Sequence, residues 1–335
     1  MTISDAALDE LREVGFVVVE NVIGSDELQA AQDALWDHYP RPDDYFADPS
    51  AHSWVGKNAF SGLREGPYPQ WALNQLTYHP DLVDAAERFL RTTDLELYKS
   101  ELWGKYSGAT DYEQQLHRDF GNHSLVVPRR DRRWTQLTTF VLLSDVTDQD
   151  GPTALVPRAA GDELPYRIRH LEPGALADHE VRATAPAGSV LLYSTDVLHR
   201  GTDFTAAGRS RFALLADYQA RGAPWNGKMA WPNKAMNPGF GEMMVRASVR
   251  ERDLFGWPRP DSGYWDEQTL ADVARRYPGI DLDPYTGVAP DPGVADPPPT
   301  LDRTRPRLGA VQQLTVRATG WARGRFHKVR RRFDL

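Results

Sequence analysis

The sequence predicts a mainly β fold with flanking helices, a β-sandwich or jelly roll. Four apolar segments between residues 95 and 219 are bounded by Gly, Pro or Asp clusters and have strand character: Leu95–Tyr106, Thr135–Leu143, Ser189–Tyr193 and Phe212–Tyr218. The chain before residue 95 has mostly helical spacing instead. Several strands preceded by helices are typical of a sandwich or jelly roll that carries helices on its outside.

Shorter elements precede this core. In chain order they are a helix over Asp5–Val14, a strand over Phe16–Val19, a helix over Ser25–Leu35 and a helix over Pro80–Leu90. Ser25 is a candidate N-cap, because its hydroxyl can accept from the first-turn amides. Residues 40–75 are rich in Pro, Gly and aromatic residues without a clear period, which predicts a long irregular loop.

The pattern predicts one large domain followed by a tail. The domain covers 1–290, with N-terminal helices in 1–94, the β core in about 95–219 and an aromatic, Pro/Gly-rich extension in 220–290. Within the extension, Asp266–Tyr277 has helical spacing. Residues 291–335 are predicted to form a proline-rich linker and a basic C-terminal tail.

The composition limits the kinds of site that the chain can build. Its 335 residues include no cysteine, so any metal must be held by His, Asp or Glu. The net charge is −8, and ten of the 39 Lys and Arg residues lie from Arg303 onward, which leaves an acidic body. An acidic body argues against nucleic-acid binding. Without a membrane-length apolar run or a signal-peptide pattern, we expect a cytoplasmic protein with no membrane span.

Two H-x-D motifs occur, and their contexts separate them. In His79-Pro-Asp81 the proline begins a predicted helix, and the aspartate in the first turn interacts favourably with the helix dipole. That motif therefore has a structural explanation. His117-Arg-Asp119 instead follows a predicted strand and a loop. Because residues i and i+2 of an extended segment point to the same side, this imidazole and carboxylate can reach one ion.

A further histidine and an arginine follow later in the chain. His199 comes shortly after the apolar strand Ser189–Tyr193, and Arg211 directly precedes the apolar run of Phe212–Tyr218. An arginine at the head of a buried strand is costly unless it meets an anion. Arg209 has the same strand parity, and we favour Arg211 because it adjoins the apolar run.

These residues form a chemically coherent set. Two histidines and one carboxylate on one face of a metal leave coordination sites open, the arrangement of non-haem Fe(II) oxygenases. 2-Oxoglutarate would chelate two of those sites and O₂ would take the third. Its distal carboxylate needs a permanently charged, bidentate partner, which arginine offers. The predicted metal ligands are therefore His117, Asp119 and His199, and the predicted 2-oxoglutarate ligand is Arg211.

The chain also resembles the phytanoyl-CoA dioxygenase family over roughly Ile3 to Gln219. The matching stretches are, in order, Gly15–Leu28, Gln115–Asp119, Phe140–Asp145, Asp150–Pro157 and Pro186–Tyr193, followed by His199 and Arg211. The resemblance implies a double-stranded β-helix, the cupin-like jelly roll, with Fe(II) and 2-oxoglutarate. One departure concerns the turn after Pro157, where relatives often continue Gly-Ser-His and this chain has Arg-Ala-Ala. The departure lies in the loop towards the substrate and does not affect the iron site.

Asp119 decides between reaction types. Halogenating relatives replace the carboxylate ligand with a small residue, so its presence favours oxygenation. Hydroxylation of a small organic substrate, with release of succinate and CO₂, is the predicted reaction; desaturation or cyclisation is the alternative outcome. A non-catalytic metal-binding jelly roll is the alternative from another class. The sequence contains neither the Gly-x-Ser-x-Gly motif of serine hydrolases nor the Gly-x-Gly-x-x-Gly motif of Rossmann enzymes.

The substrate is a small organic molecule, for which a secondary metabolite and an acyl or amino-acid derivative are both open, and the oligomeric state also stays open. Five aromatic residues are candidates for the substrate pocket or, alternatively, for the core: Trp54, Phe60, Trp103, Trp225 and Trp231. His123 either pairs with the substrate, supports the metal site or faces solvent.

Overall fold

The fold is built on two antiparallel sheets. A computed structural model describes residues 2–58, 60–109, 113–123, 132, 134–162, 164, 171, 174–222, 231, 238–262 and 264–289. The strands are β1 (Phe16–Val19), β2 (Leu63–Glu65), β3 (Leu95–Tyr106), β4 (Gln136–Leu142), β5 (Thr153–Leu155), β6 (Val181–Ala183), β7 (Val190–Ser194), β8 (His199–Gly201) and β9 (Ser210–Ala220). The larger sheet has the order β1-β7-β4-β9-β3-β2, and the smaller sheet has the order β6-β5-β8.

The larger sheet has two different faces. Side chains of successive residues alternate between the faces of a strand. In β9 the even-numbered residues Phe212, Leu214 and Tyr218 belong to the main apolar core, where the N-terminal helices also pack. In β7 the neighbouring Leu191 and Tyr193 instead join Leu155 of the smaller sheet in a second apolar cluster. One face of the larger sheet therefore meets the helices, and the other faces the smaller sheet.

These sheets and flanking helices confirm the predicted mainly β, jelly-roll class. The helices before the core are α1 (Asp5–Val14), α2 (Ser25–Leu35), α3 (Pro42–Ala47), α4 (Trp71–Thr77) and α5 (Pro80–Leu90). α1 and α5 have strongly one-sided apolar faces, with Leu8 and Leu11 buried in α1. Two short helices lie nearer the site, α6 (Phe120–His123) and α7 (Arg158–Gly161).

Two local predictions for the N-terminal part were wrong. The N-cap of α2 is Gly24, whose backbone is extended, and Ser25 is the first helical residue. Residues 40–75 contain α3, a 3-10 helix over Pro49–His52, β2 and the start of α4, instead of one irregular loop. These elements are short, and tertiary contacts fix them: the buried Tyr45 of α3 stacks on Tyr106 of β3 with ring centroids 4.4 Å apart.

The extension contains more helix than the sequence predicted. Besides Glu267–Arg276, which lies within the predicted helix, it forms helices over Pro238–Arg246 and Val249–Asp253. Among the residues described, no helix is long and apolar enough to cross a membrane. The single domain over 1–290 stays a prediction, and the predicted linker and tail over 291–335 lie outside the described residues.

Candidate active site

The backbone brings the first H-x-D residue against the distal histidine. His117 and His199 pair in an antiparallel bridge, in which each amide donates to the other's carbonyl at 3.0 and 2.9 Å. Asp119 lies two residues beyond His117. Its two carboxylate oxygens lie 3.6 Å from Nε2 of His117 and 3.6 Å from Nε2 of His199. Ligand atoms from the three predicted residues thus meet at one point, all within 4.8 Å of one another.

Backbone carbonyls orient both imidazoles. Nδ1 of His117 lies 2.9 Å from the carbonyl of Gln115, and Nδ1 of His199 lies 3.1 Å from that of Val197. A carbonyl only accepts, so Nδ1 carries the proton in each ring and Nε2 has a lone pair. Each lone pair then faces a carboxylate oxygen of Asp119. The two imidazole nitrogens and the carboxylate are all hydrogen-bond acceptors, so they repel one another when nothing lies between them. A cation between them makes this arrangement favourable, so the donor set fits a divalent metal.

Electrostatics keep the ligands in their metal-binding forms. Burial and the neighbouring His199 lower the pKa of His117 to about 4, so its imidazole is neutral near pH 7. Burial alone would raise the pKa of Asp119, but the nearby positive charge of Lys99 holds it well below its usual range. A neutral imidazole and an ionised carboxylate are the forms that bind metals.

A cavity of about 360 Å³ opens beside these ligands, between the two sheets. Its wall includes the three candidate ligands and His123. The other wall residues come from the segment just before β2 and from β3, β4, β5, β7, β8 and β9. The apolar part of the wall comprises Phe60, Trp103, Phe140, Ala213 and Leu215, and the charged part comprises Lys99, Glu101, Lys105 and Arg211. The cavity is thus large enough for a small organic molecule.

The structure separates the two candidate arginines. Arg211 is buried in β9, lines the cavity and donates to the carbonyl of Gly151. The side chain of Arg209 is 38% exposed and binds Asp150 with Nε–Oδ1 and Nη2–Oδ2 distances of 2.6 and 2.8 Å. Arg209 therefore already has a bidentate carboxylate partner outside the cavity, and Arg211 remains the candidate for an anionic cosubstrate.

Sequence reasoning did not single out the charged residues of β3. Lys105 lies directly opposite Arg211, so two cations line one end of the cavity. Lys99 lies opposite Asp217 and its ammonium lies 3.3 Å from that carboxylate and 3.4 Å from Glu101. The available signal was the placement of charges at three odd-numbered positions, 99, 101 and 105, in a strand predicted to be buried.

The aromatic candidates divide between the pocket and the core. Phe60 and Trp103 line the cavity, with ring centroids 5.9 Å apart. Trp54 is partly exposed and lies under the Arg64 guanidinium, 4.7 Å from ring centroid to Cζ. Trp231 is buried in the main core, where its indole donates to the carbonyl of Leu97. Trp225 lies outside the described residues.

The other H-x-D motif lies away from this site. His79 is the N-cap of α5, and its Nδ1 accepts from the amide of Asp81 at 3.2 Å. Its Nε2 lies 3.4 Å from a carboxylate oxygen of Glu27. Among the described residues, neither His79 nor Asp81 joins a group that could hold a metal. The structural explanation of this motif is therefore supported.

Comparisons with known proteins bear on the family and the fold. The family model described as phytanoyl-CoA dioxygenase (PhyH) matches residues 11–213. EvdO2 from Micromonospora carbonacea var. aurantiaca, crystallised with 2-oxoglutarate, is similar with a TM-score of 0.51 at 17% identity over 68% of this chain and 95% of that one. EctD from S. alaskensis has a TM-score of 0.48 at 21% identity, covering 65% of this chain and 77% of that one. The search of curated proteins found no match.

The family match spans the N-terminal helices, the H-x-D motif, the distal histidine and the start of β9. It covers more than half of the chain, and the similarity to EvdO2 independently supports the fold. The protein therefore belongs to the phytanoyl-CoA dioxygenase family, whose members are 2-oxoglutarate-dependent non-haem iron oxygenases.

Proposed function

We propose that the protein hydroxylates a small organic substrate, with Fe(II) held by His117, Asp119 and His199 and 2-oxoglutarate bound through Arg211. The observation that carries this proposal is the joint presence of all four side chains on the wall of one cavity. Three of them form a group that could hold a metal ion, and the fourth is a buried cation. Succinate and CO₂ would leave as coproducts.

The protein residues prepare the site for its cofactors. When bound, Fe(II) and 2-oxoglutarate together supply the activation of O₂. Arg211, whose partner across the strand pair is Lys105, gives one end of the cavity a positive charge suited to the distal carboxylate. Phe140, Ala213 and Leu215 cover the wall between the strands with apolar surface, which keeps water away from this charge and strengthens its interaction.

Asp119 supports oxygenation over halogenation, because a carboxylate ligand occupies the position that an incoming halide would need. Desaturation and cyclisation begin with the same hydrogen abstraction from the substrate, and the wall residues do not favour either one. Hydroxylation is proposed since it requires neither the loss of a second hydrogen from the neighbouring atom nor an internal nucleophile on the substrate.

The test is a coupled measurement of binding and turnover. The purified protein is titrated with Fe(II) and then with 2-oxoglutarate without oxygen, while the absorption band of the chelate is followed. Oxygen and a panel of small metabolites are then added, and succinate and hydroxylated products are quantified. We expect one Fe(II) per chain, a saturable band and substrate-dependent succinate release. A chain that binds Fe(II) but never releases succinate would instead be a metal-binding jelly roll without catalysis.

A further inference from the structure

A second cavity, of about 490 Å³, lies at the end of the larger sheet where β4 begins and β9 ends. Its described wall residues are all different from those of the first cavity. They belong to the C-terminal ends of α1 and α5, to the segment before β4, to α7 and to the end of β9. Four of them are arginines and none is acidic: Arg12, Arg91, Arg132 and Arg158. This wall therefore gathers positive charge in a place that the proposed reaction does not use.

Salt bridges pair three of these arginines and leave one. The pairs are Arg12–Asp9 at 2.7 Å, Arg132–Asp162 at 3.1 Å and Arg158–Asp196 at 2.7 and 2.9 Å. Within the part of the chain that the structure describes, the guanidinium of Arg91 has no salt bridge or hydrogen bond, and the residue is exposed. Because each of the other three cations faces one carboxylate, the cavity keeps one uncompensated positive charge. An anion that enters it can pair with Arg91 without displacing a protein carboxylate.

The backbone around this cavity has an uncommon conformation at three positions. Arg91, Arg132 and Trp134 have φ of 57°, 57° and 68°, in the left-handed region that residues other than glycine rarely adopt. Only one other non-glycine residue of the described chain, Asn21, has a positive φ. The three residues come from two separate segments and nevertheless line one cavity. Strained backbone of this kind concentrates at ligand-binding sites, which supports a binding role for this wall.

Apolar side chains complete the wall. Trp134 is 42% exposed, whereas Phe89 and Leu90 are half-buried and pack against the main core. All three line the cavity. A bound molecule that covers this surface removes apolar area from water, which stabilises the complex. The second cavity thus combines one unpaired cation with an apolar surface.

We propose that this second cavity binds a small organic monoanion, a carboxylate with an aromatic or other apolar body. The carboxylate pairs with Arg91, and the body packs on Trp134, Phe89 and Leu90. One charge matches the single unpaired guanidinium, since a second carboxylate would compete with a protein carboxylate for one of the paired arginines. The size also fits, because an apolar cavity of roughly 150 Å³ already holds benzene. This ligand class excludes 2-oxoglutarate, a dianion without an apolar body, so the site is separate from the proposed oxygenase chemistry.

The first test locates the ligand with benzoate and its neutral counterpart, benzyl alcohol. The full chain is titrated with each probe near pH 7, and the indole N–H resonances of Trp134 and Trp103 are followed after assignment with Trp134→Phe and Trp103→Phe. Trp103 lines the first cavity and reports binding there. We expect benzoate to shift the Trp134 resonance saturably and to bind roughly tenfold more tightly than benzyl alcohol. An unmoved Trp134 resonance, with or without a shift of Trp103, or equal affinities for the two probes would overturn the proposal.

The second test removes the guanidinium of Arg91. Arg91→Ala and Arg91→Gly both do so, and glycine also tolerates a φ of 57°, so the two variants separate the loss of charge from backbone strain. We expect both to bind benzoate roughly tenfold more weakly, with binding of benzyl alcohol unchanged, and Arg91→Lys to recover part of the loss. Arg182→Ala, at an exposed arginine of β6 outside this wall, is the matched control and should bind benzoate like the parent. Parental benzoate affinity in both Arg91 variants, or an equal loss in the Arg182 variant, would contradict the proposal.

Discussion

The two faces of β9 are both buried, but they differ in polarity. Phe212, Leu214 and Tyr218 point into the main core, and Leu214 is fully buried there. On the opposite face Arg211 lines the cavity and Asp217 is equally buried beside Lys99. Side chains on both faces are buried, but only the core face is wholly apolar, since Arg211 and Asp217 lie on the other. The comparison teaches that burial on the cavity face serves ligand binding and costs stability, whereas burial on the core face supplies stability.

The largest effect is expected from removing a metal ligand on the cavity side. His117→Ala should abolish Fe(II) binding and turnover while the protein stays folded, because two remaining ligands form a poor site and the core face is untouched. Metal content and circular dichroism measure the two outcomes. His79→Ala is the matched control and should retain metal and activity. Stoichiometric Fe(II) in His117→Ala would show that the ligand assignment is wrong.

The second effect compares the two arginines at the head of β9. Removing the partner of a buried charge costs on the order of 3–5 kcal/mol, which corresponds to about two to three and a half decades in affinity. Arg211→Ala should weaken 2-oxoglutarate binding by about that factor with Fe(II) binding nearly unchanged, and Arg211→Lys should recover only part of it.

Arg209→Ala is the matched control for that comparison, since its partner Asp150 lies outside the cavity wall. It should change the 2-oxoglutarate constant little. The anaerobic chelate band measures all three variants. A large effect in Arg209→Ala alone would mean that the assignment is two residues out of register, and no effect in either arginine variant would contradict 2-oxoglutarate binding at this end.

A smaller effect is expected on the free energy of unfolding, which should respond differently to substitutions on the two faces of β9. Leu214→Ala should lower the free energy of unfolding by about 2–5 kcal/mol, because it leaves a cavity in a closed apolar core. Leu215→Ala should cost less, since Leu215 already borders the open cavity, but it should change substrate-dependent turnover. Chemical denaturation measures both. Equal losses of stability would show that the cavity face contributes as much apolar packing as the core face.

The smallest effect concerns a buried acid. Burial raises the pKa of Asp217 to about 7. At a pH between the ordinary pKa of an aspartate and this raised pKa, Asp217 keeps its proton in the folded protein and loses it in the unfolded chain. The folded state therefore loses stability as the pH rises through this window. Asp217→Asn should therefore gain in melting temperature relative to the parent between pH 5 and pH 8. Asp26→Asn, at an exposed carboxylate, is the control, and a pH-independent difference for Asp217→Asn would contradict the prediction.

The sequence predicted some of the strands and site residues but missed the shortest strands. A strand over Leu95–Tyr106 was predicted with the bounds that the structure has, because apolar residues and flanking turns mark it. The H-x-D pair was assigned from its i, i+2 spacing, and the structure brings it to His199. The short strands β5, β6 and β8 were missed, since three residues carry too little pattern to detect.

Sequence by itself determined the class of fold, the family and the types of residue at the site, because alternation and motif spacing are local properties of the chain. Only the tertiary structure decided which arginine faces the cavity. Arg209 and Arg211 share a strand parity, and the choice depends on Asp150, a carboxylate some 59 residues away in sequence that binds Arg209. The register shift in β3 likewise put Glu96 on the same face of the sheet as Lys99. Pairing partners and register shifts depend on contacts between distant segments, which no local pattern encodes.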